Sequence, residues 1–156
     1  MIRLLLNFLL GQRKPQRPRI QEFVMSSDTV HQEIEYLGIA LMYPVLLDEK
    51  QLYHYCDRAS WVKVIHYINN AFKFPKYVPA RTDCDDFAIL FKGLVSACFG
   101  LNACAIVIGK SPVGGHAFIM VRDETDWCII EPQDKAGAVL WSLKGDHGYN
   151  PLSILL

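Results

Sequence analysis

The sequence lacks several features that would assign it to a class at once. Its 156 residues carry no excess charge, since 16 Lys and Arg balance 16 Asp and Glu, so no net field favours nucleic acid or an acidic partner. No apolar run reaches the roughly 18 residues that mark a membrane-spanning helix. There is no C-x-x-C pair of the kind that holds structural zinc. These absences favour one globular domain with one core.

Cysteine is scarce and odd in number, with five in the chain. Cys98, Cys104 and Cys128 lie inside apolar runs and are expected to be buried as small hydrophobic residues. An odd set without an obvious pairing fits a reducing compartment, so a cytoplasmic location is expected, with a periplasmic or exported one as the alternative. Cys84 is different, because it stands among aspartates in "DCDD".

Acidic residues are absent from the first 19 positions, which hold five basic ones. The apolar stretch from Leu4 to Leu10 is short and no A-x-A-like cleavage site follows it, so a signal peptide is not expected. We interpret residues 1–20 as a basic arm, either mobile or docked on a membrane surface or a partner. Residues 21–156 are interpreted as a single domain.

Apolar spacing predicts helices in the first part of that domain. One is expected over residues 27–42, beginning at Ser27 or Asp28. A second presents one apolar face, and a third begins near Cys84 and ends at Gly100. The predicted faces are Trp61, Val64, Ile65, Ile68 and Phe72 for the second helix, and Phe87, Leu90, Phe91, Leu94 and Cys98 for the third.

Strands are predicted after Gly100, in "ACAIVIG", "HAFIMV", "DWCIIE" and "GAVLWSL". This order, helices first and strands second, predicts an α+β fold with N-terminal helices packed on an antiparallel sheet. Trp61, Trp127 and Trp141 are expected to lie in its core.

Cys84 falls in the first turn of the third predicted helix. Unpaired backbone N–H groups and the helix dipole favour a thiolate there, and the same groups can hold an oxyanion. A nucleophile also needs a base and a group that orients the base. The strands offer both, because a hairpin with a loop at residues 122–125 pairs Val121 with Asp126 and therefore His116 with Glu131. A slip of one residue would separate the two side chains.

These residues resemble the motifs of a known family. "DCDDFA" at 83–88, "GHAFIMV" at 115–121 and "WCIIEP" at 127–132 resemble the bacterial transglutaminase-like cysteine proteinases of the papain-like superfamily. The resemblance implies a papain-like core and a thiol hydrolase that cleaves a peptide or isopeptide amide through an acyl-enzyme. Cys84 would be the nucleophile, His116 the base and Glu131 the orienting acid. Glu131 departs from the usual Asp of that family.

Three carboxylates next to Cys84 call for a counter-charge, and Ca²⁺ takes six to eight oxygen ligands. Members of the resembled family bind calcium through acidic residues beside the nucleophile, which implies Asp83 and Asp85 as ligands here. The hydrolysis itself needs no cofactor.

Three alternatives stay open at this point. A cell-wall endopeptidase of the NlpC type also places Asp-Cys at a helix start, and an amide acyltransferase would use the same triad. The alternative of another class is a non-catalytic binding module that keeps the fold. The expected partner of the enzyme is a protein or peptide substrate, with no nucleic acid and with membrane contact through residues 1–19 left open.

Overall fold

A six-stranded sheet with helices on both faces forms the centre of the protein in the computed structural model, which describes residues 15–42, 52–133, 140–143 and 148–156. The elements in chain order are β1 (Glu22–Ser26), α1 (Ser27–Tyr36), β2 (Ala40–Leu41), β3 (Leu52–Cys56), α2 (Arg58–Ala71), α3 (Cys84–Phe99), β4 (Cys104–Ser111), β5 (Gly114–Arg122), β6 (Trp127–Ile130), β7 (Leu140–Ser142) and β8 (Asn150–Leu155). In the described ranges, no helix is long and apolar enough to cross a bilayer.

The main sheet has the strand order β2-β8-β4-β5-β6-β7, and β1 pairs with β3 in a separate two-stranded sheet. Every neighbouring pair is antiparallel except β2 and β8, which are parallel. The predicted α+β class with a largely antiparallel sheet is therefore confirmed. The finer expectation of a papain-like core does not follow from this strand order.

Two apolar clusters cover the two faces of β5. On one face Ala117, Ile119 and Val121 pack against α2 and α3. On the other face Phe118 and Met120 pack in a cluster that includes Val30 and Ile34 of α1. Because both faces are covered, Ala117 to Val121 are all buried, and the strand is a continuous apolar run.

Two helices begin at side-chain caps, and the third ends at glycine. The Ser26 hydroxyl accepts a hydrogen bond from Thr29 N at 3.2 Å, and the Asp57 carboxylate accepts one from Ser60 N at 2.6 Å. Gly100 ends α3 in the left-handed conformation that glycine tolerates best. The predicted helix over 27–42 is too long, because α1 ends at Tyr36 and Gly38 turns the chain with φ +69°.

The buried face of α3 also differs from the predicted one. Phe87 and Phe91 are buried as expected, but Leu90 is 36% exposed. The remaining buried positions are Ala88, Val95 and Phe99, and Cys98 is only half-buried. The apolar residues of "FAILFKGLVSACF" fit two overlapping helical faces, so the sequence pattern did not determine which one faces the sheet.

The hairpin between β5 and β6 is shifted by two residues from the predicted register. Val121 pairs with Cys128 and Arg122 with Trp127, so the loop runs from residue 123 to 126. Asp123 causes this shift, since its Oδ1 accepts hydrogen bonds from the backbone N–H groups of Thr125 and Asp126, both at 2.8 Å.

The N-terminal arm is described only from residue 15, so the apolar stretch from Leu4 to Leu10 lies outside the described residues. Within the described part, Ile20 packs against the core cluster on the α2 and α3 side, and the Arg17 guanidinium lies 4.9 Å from the centre of the Phe99 ring. Membrane or partner docking by the arm stays a prediction.

Candidate functional site

His116 and Glu131 lie together at one end of the β5–β6 hairpin. His116 Nε2 is 2.6 Å from Glu131 Oε2, and both side chains are almost buried, with 11% and 12% of their surface exposed. In the observed register the two residues are diagonal neighbours and not direct partners. A shift of two residues keeps every side chain on its own face, which is why the contact survives the error in the predicted register.

Two further groups hold the Glu131 carboxylate. Tyr149 Oη donates a hydrogen bond to Oε2 at 3.0 Å, and the backbone N–H of Gln133 donates one to Oε1 at 3.0 Å. Burial raises the pKa of the Glu131 carboxyl, but the hydrogen bonds from His116, Gln133 and Tyr149 more than offset it, so its pKa lies below the usual value. Glu131 is therefore ionised at neutral pH, and His116 donates its Nε2 proton to it.

Aromatic rings surround this pair, and we call His116, Phe118, Glu131, Trp141 and Tyr149 the Tyr149 cluster. The Tyr149 ring stacks on Trp141 with centroids 5.6 Å apart and meets Phe118 edge to face at 5.1 Å. The centre of the His116 ring lies 6.3 Å from the centres of both Phe118 and Tyr149. Trp141 was expected in the core, and instead it is only partly buried.

Gly109 makes the cluster possible by letting β8 approach β4 closely. It pairs with His116 on one side and with Pro151 on the other. A Cβ atom at this position would collide with the carbonyl oxygen of Asn150. Only glycine therefore allows the start of β8 to approach β4 this closely, so that the ring of Tyr149 reaches His116 and Phe118 of β5.

Three polar atoms at this end of the sheet have no partner among the described residues. Two of them, Nδ1 of His116 and Nε1 of Trp141, reach solvent. The third, Nε2 of Gln133, is the one buried side-chain atom in the described ranges that lacks a partner. A buried donor without a partner costs free energy. The cluster thus combines fixed hydrogen-bonding atoms with an accessible aromatic surface.

Cys84 lies at the first position of α3, as predicted, and is half-buried. It packs against the apolar cluster on the α2 and α3 side of the sheet, whereas the His116 ring stacks on Phe118, which belongs to the cluster on the α1 side. Within the described part of the chain, no hydrogen bond joins Cys84 Sγ to His116. The nucleophile–base contact of a thiol hydrolase is therefore not formed here.

Asp83 and Asp85 flank the thiol closely. Ligand atoms of Asp83, Cys84 and Asp85 all lie within 4.8 Å of one another, and this is the one such group in the described ranges. The hydrogen bond shared with Asp85 raises the pKa of Asp83, and the same bond lowers the pKa of Asp85. The backbone N–H of Asp83 donates to Asp86 Oδ2 at 3.3 Å, so Asp86 completes the helix start.

No family model matches the chain, and no curated protein matches it. Two matching solved structures are described as "PSL1a-E64 complex" and as Polyporus squamosus lectin bound to the human-type influenza-binding epitope Neu5Aca2-6Galb1-4GlcNAc. Their TM-scores are 0.61 and 0.60, with 20% and 17% sequence identity, and each covers 85% of this chain. The chain covers 51% of the first structure and 49% of the second, which is about half of each. At this level of identity the likeness shows the fold.

These findings correct the family assignment made from the sequence. The fold is shared with a lectin, neither structure is described as a peptidase, and no family model supports the transglutaminase-like cysteine proteinases. The predictions that depended on that resemblance are overturned with it: a thiol hydrolase, a cysteine protease, a catalytic triad and a peptide substrate. The physical reason within this chain is that, among the described residues, no hydrogen bond joins Cys84 to His116.

Proposed function

We propose that the chain is a non-catalytic carbohydrate-binding module, and that a saccharide binds at the Tyr149 cluster. The observation that carries the proposal is the position of fixed polar atoms beside a partly exposed aromatic surface. Glu131 orients His116 and Tyr149, and Tyr149 stacks on Trp141. Binding sites for small polar molecules combine apolar walls with a few convergent hydrogen-bonding groups in this way.

The chemistry of a sugar ring fits these groups. Its C–H faces can pack on the flat side of Trp141, as aromatic side chains bury large apolar areas. Its hydroxyl groups both donate and accept, so they can form hydrogen bonds with Nδ1 of His116 and accept one from the indole N–H of Trp141. The lectin among the structures that share the fold supports saccharides as the ligand class.

The ligand is proposed to be uncharged. Glu131 is ionised and brings a negative charge to the cluster, and a nearly buried carboxylate repels an acidic ligand. A neutral saccharide takes the place of the peptide expected from the sequence.

Calorimetric titration of the full chain with neutral methyl glycosides and short neutral oligosaccharides tests the proposal. We expect saturable binding, and Trp141→Ala should raise Kd by about tenfold, the equivalent of 1.4 kcal/mol, because it removes one stacking face. The matched control is Tyr77→Ala, which removes a 53% exposed aromatic ring away from the cluster. Absence of binding by every saccharide, or equal Kd for Trp141→Ala and the parent chain, would overturn the proposal.

We further propose that Asp83 and Asp85 hold Ca²⁺ at the start of α3. Their carboxylates supply hard oxygen ligands, which calcium prefers, whereas the thiol of Cys84 is a soft ligand and would stay outside the coordination. The cation would remove the need for the two carboxyl groups to share a hydrogen bond.

We expect the melting temperature to rise with millimolar Ca²⁺ and to return to its starting value with EGTA, because a ligand that binds only the folded state stabilises it. Asp83→Asn and Asp85→Asn should each reduce this shift, and Glu35→Gln, a carboxylate exposed on α1, is the matched control. An unchanged melting curve at about 10 mM Ca²⁺, roughly ten times the Kd of the weakest protein calcium sites, would refute the site.

A cytoplasmic location stays a prediction. The five thiols are all free, three of them buried and two half-buried, which supports a reducing compartment.

A further inference from the structure

A cleft lies at the opposite end of the β5–β6 hairpin from the Tyr149 cluster. It has a volume of about 190 Å³ and opens between the C-terminal turn of α1 and the hairpin loop. Its walls include Glu33 and Tyr36 from α1 and Arg122, Thr125 and Trp127 from the hairpin. We call it the Tyr36 cleft.

The floor of the Tyr36 cleft is rigid. Glu33 Oε2 accepts hydrogen bonds from Arg122 Nε and from Trp127 Nε1, both at 2.8 Å, and Glu33 Oε1 accepts one from the second guanidinium nitrogen of Arg122 at 3.0 Å. The geometry is a bidentate arginine–carboxylate pair with an indole donor added. Groups that are already fixed lose little freedom when a ligand binds.

Several hydrogen-bonding positions in the cleft remain available. Arg122 has five N–H donors, and three are used, by Glu33 and by the Asp123 carbonyl oxygen. The Thr125 hydroxyl donates to Asp123 Oδ1 at 2.9 Å and keeps its lone pairs as acceptors. The Tyr36 ring is 89% exposed, which is unusual for so large a side chain, and it forms an uncovered aromatic wall.

The charges of the cleft select against acidic ligands. Glu33 and Asp126 contribute two negative charges and Arg122 contributes one positive charge, so the lining carries a net negative charge. The matching ligand has an apolar ring face to pack on the Tyr36 wall and several hydroxyl groups to accept from the spare donors of Arg122. It carries no negative charge, because the lining is itself negative.

We propose that the Tyr36 cleft is a second saccharide site that takes one neutral sugar ring. The ligand class rests on the proposed function, while the site itself is independent of the Tyr149 cluster. His116 and Arg122 are six residues apart on β5, a distance of about 20 Å along a strand. The two sites therefore lie at opposite ends of one rigid hairpin, and the domain binds two separate sugar units. A glycan surface would then hold the domain by avidity.

Stoichiometry tests the second site directly. Calorimetric titration of the full chain with the neutral methyl glycoside that binds most tightly should give two ligands per chain. Tyr36→Ala and Trp141→Ala should each give one, and the control Tyr77→Ala should give two. A sugar acid of the same ring size should bind the Tyr36 cleft at least about threefold more weakly than the neutral methyl glycoside, because the lining of the cleft carries a net negative charge.

The Trp127 indole N–H provides a local readout, because it donates to Glu33 at the floor of the cleft. Its NMR resonance should shift on titration in the parent chain and in Trp141→Ala, and should not shift in Tyr36→Ala. One ligand per chain that is lost only in Trp141→Ala would overturn the second site and leave the proposed function standing. Absence of saccharide binding in all variants would overturn both.

Discussion

Asp123→Ala should lower the free energy of unfolding by about 3 kcal/mol, roughly 1 kcal/mol for each of the three hydrogen bonds to Oδ1 that it removes. Asp123 is fully buried. Its carboxylate accepts hydrogen bonds from Thr125 N, Thr125 Oγ1 and Asp126 N, and it pairs with the Arg58 guanidinium at 3.4 Å. The substitution leaves these donors without a partner at the turn that sets the hairpin register. Urea unfolding of the purified variant measures the loss.

Thr125→Val is the control, because it removes one hydrogen bond and leaves the carboxylate in place, so its cost should stay near 1 kcal/mol, about the value of one hydrogen bond. A loss below 1 kcal/mol for Asp123→Ala would show that the Asp123 carboxylate does not fix the hairpin.

The same residue predicts a dependence of stability on pH. Burial raises the pKa of Asp123, but hydrogen bonds from Asp126, Cys128 and Thr125 more than offset it, and its pKa is below the usual value. A depressed carboxyl pKa adds stability that is complete above the unfolded value, about 3.9, and that is lost as the pH falls through the folded value. Asp123→Asn should lose this part of the acid dependence.

Glu131→Gln should weaken saccharide binding by about tenfold or more and lower the free energy of unfolding by about 1–3 kcal/mol, the cost of a buried polar group without a partner. All three groups that meet Glu131 are donors: His116 Nε2, Tyr149 Oη and Gln133 N. A glutamine offers one acceptor and turns an NH₂ group toward at least one donor. The imidazole would then lose its fixed orientation.

Tyr149→Phe separates the two contributions, because it keeps the ring that stacks on Trp141 and removes the hydroxyl that donates to Glu131. It should retain most of the binding. Calorimetric titration and thermal unfolding of both variants measure the two effects, and unchanged Kd for Glu131→Gln would contradict a role of the carboxylate in the binding site.

The contact between His116 and Glu131 could be predicted from the sequence, although the register used to predict it was wrong. The expected loop at 122–125 ignored the capacity of Asp123 to hold the two N–H groups that follow it, which moves the loop to 123–126. Because side chains alternate with a period of two, a shift by two residues changed the partners and kept the faces. A turn analysis of "RDETDW" centred on its first aspartate would have given the correct register.

Tyr149 and Trp141 could not be predicted as site residues. Tyr149 reaches Glu131 only because β8 pairs with β4, 40 residues earlier in the chain, and because Gly109 allows the close approach. The strand "NPLSIL" is short and contains a proline, so its pattern gave no signal of its own. Apolar periodicity predicts which residues form an element, and long-range strand order decides which elements meet.

The order of Cys84, His116 and Glu131 led to the wrong family because each motif is short. "DCDDFA" describes any helix start with acidic residues around a cysteine, and acidic residues there also complement the helix dipole. Spacing along the chain did not show that the thiol packs on the side of α2 and α3 while the imidazole stacks on Phe118.

We propose that this domain binds saccharide without a reaction at Cys84. Isothermal calorimetry on the parent chain and Cys84→Ala tests it most directly, with a neutral oligosaccharide and then a mixed peptide substrate injected into the same cell. We expect saturable saccharide binding with Kd equal within about twofold, a difference of 0.4 kcal/mol, and no sustained heat from the peptides. Sustained heat flow with peptides in the parent chain that disappears in Cys84→Ala, without saccharide binding in either protein, would contradict it.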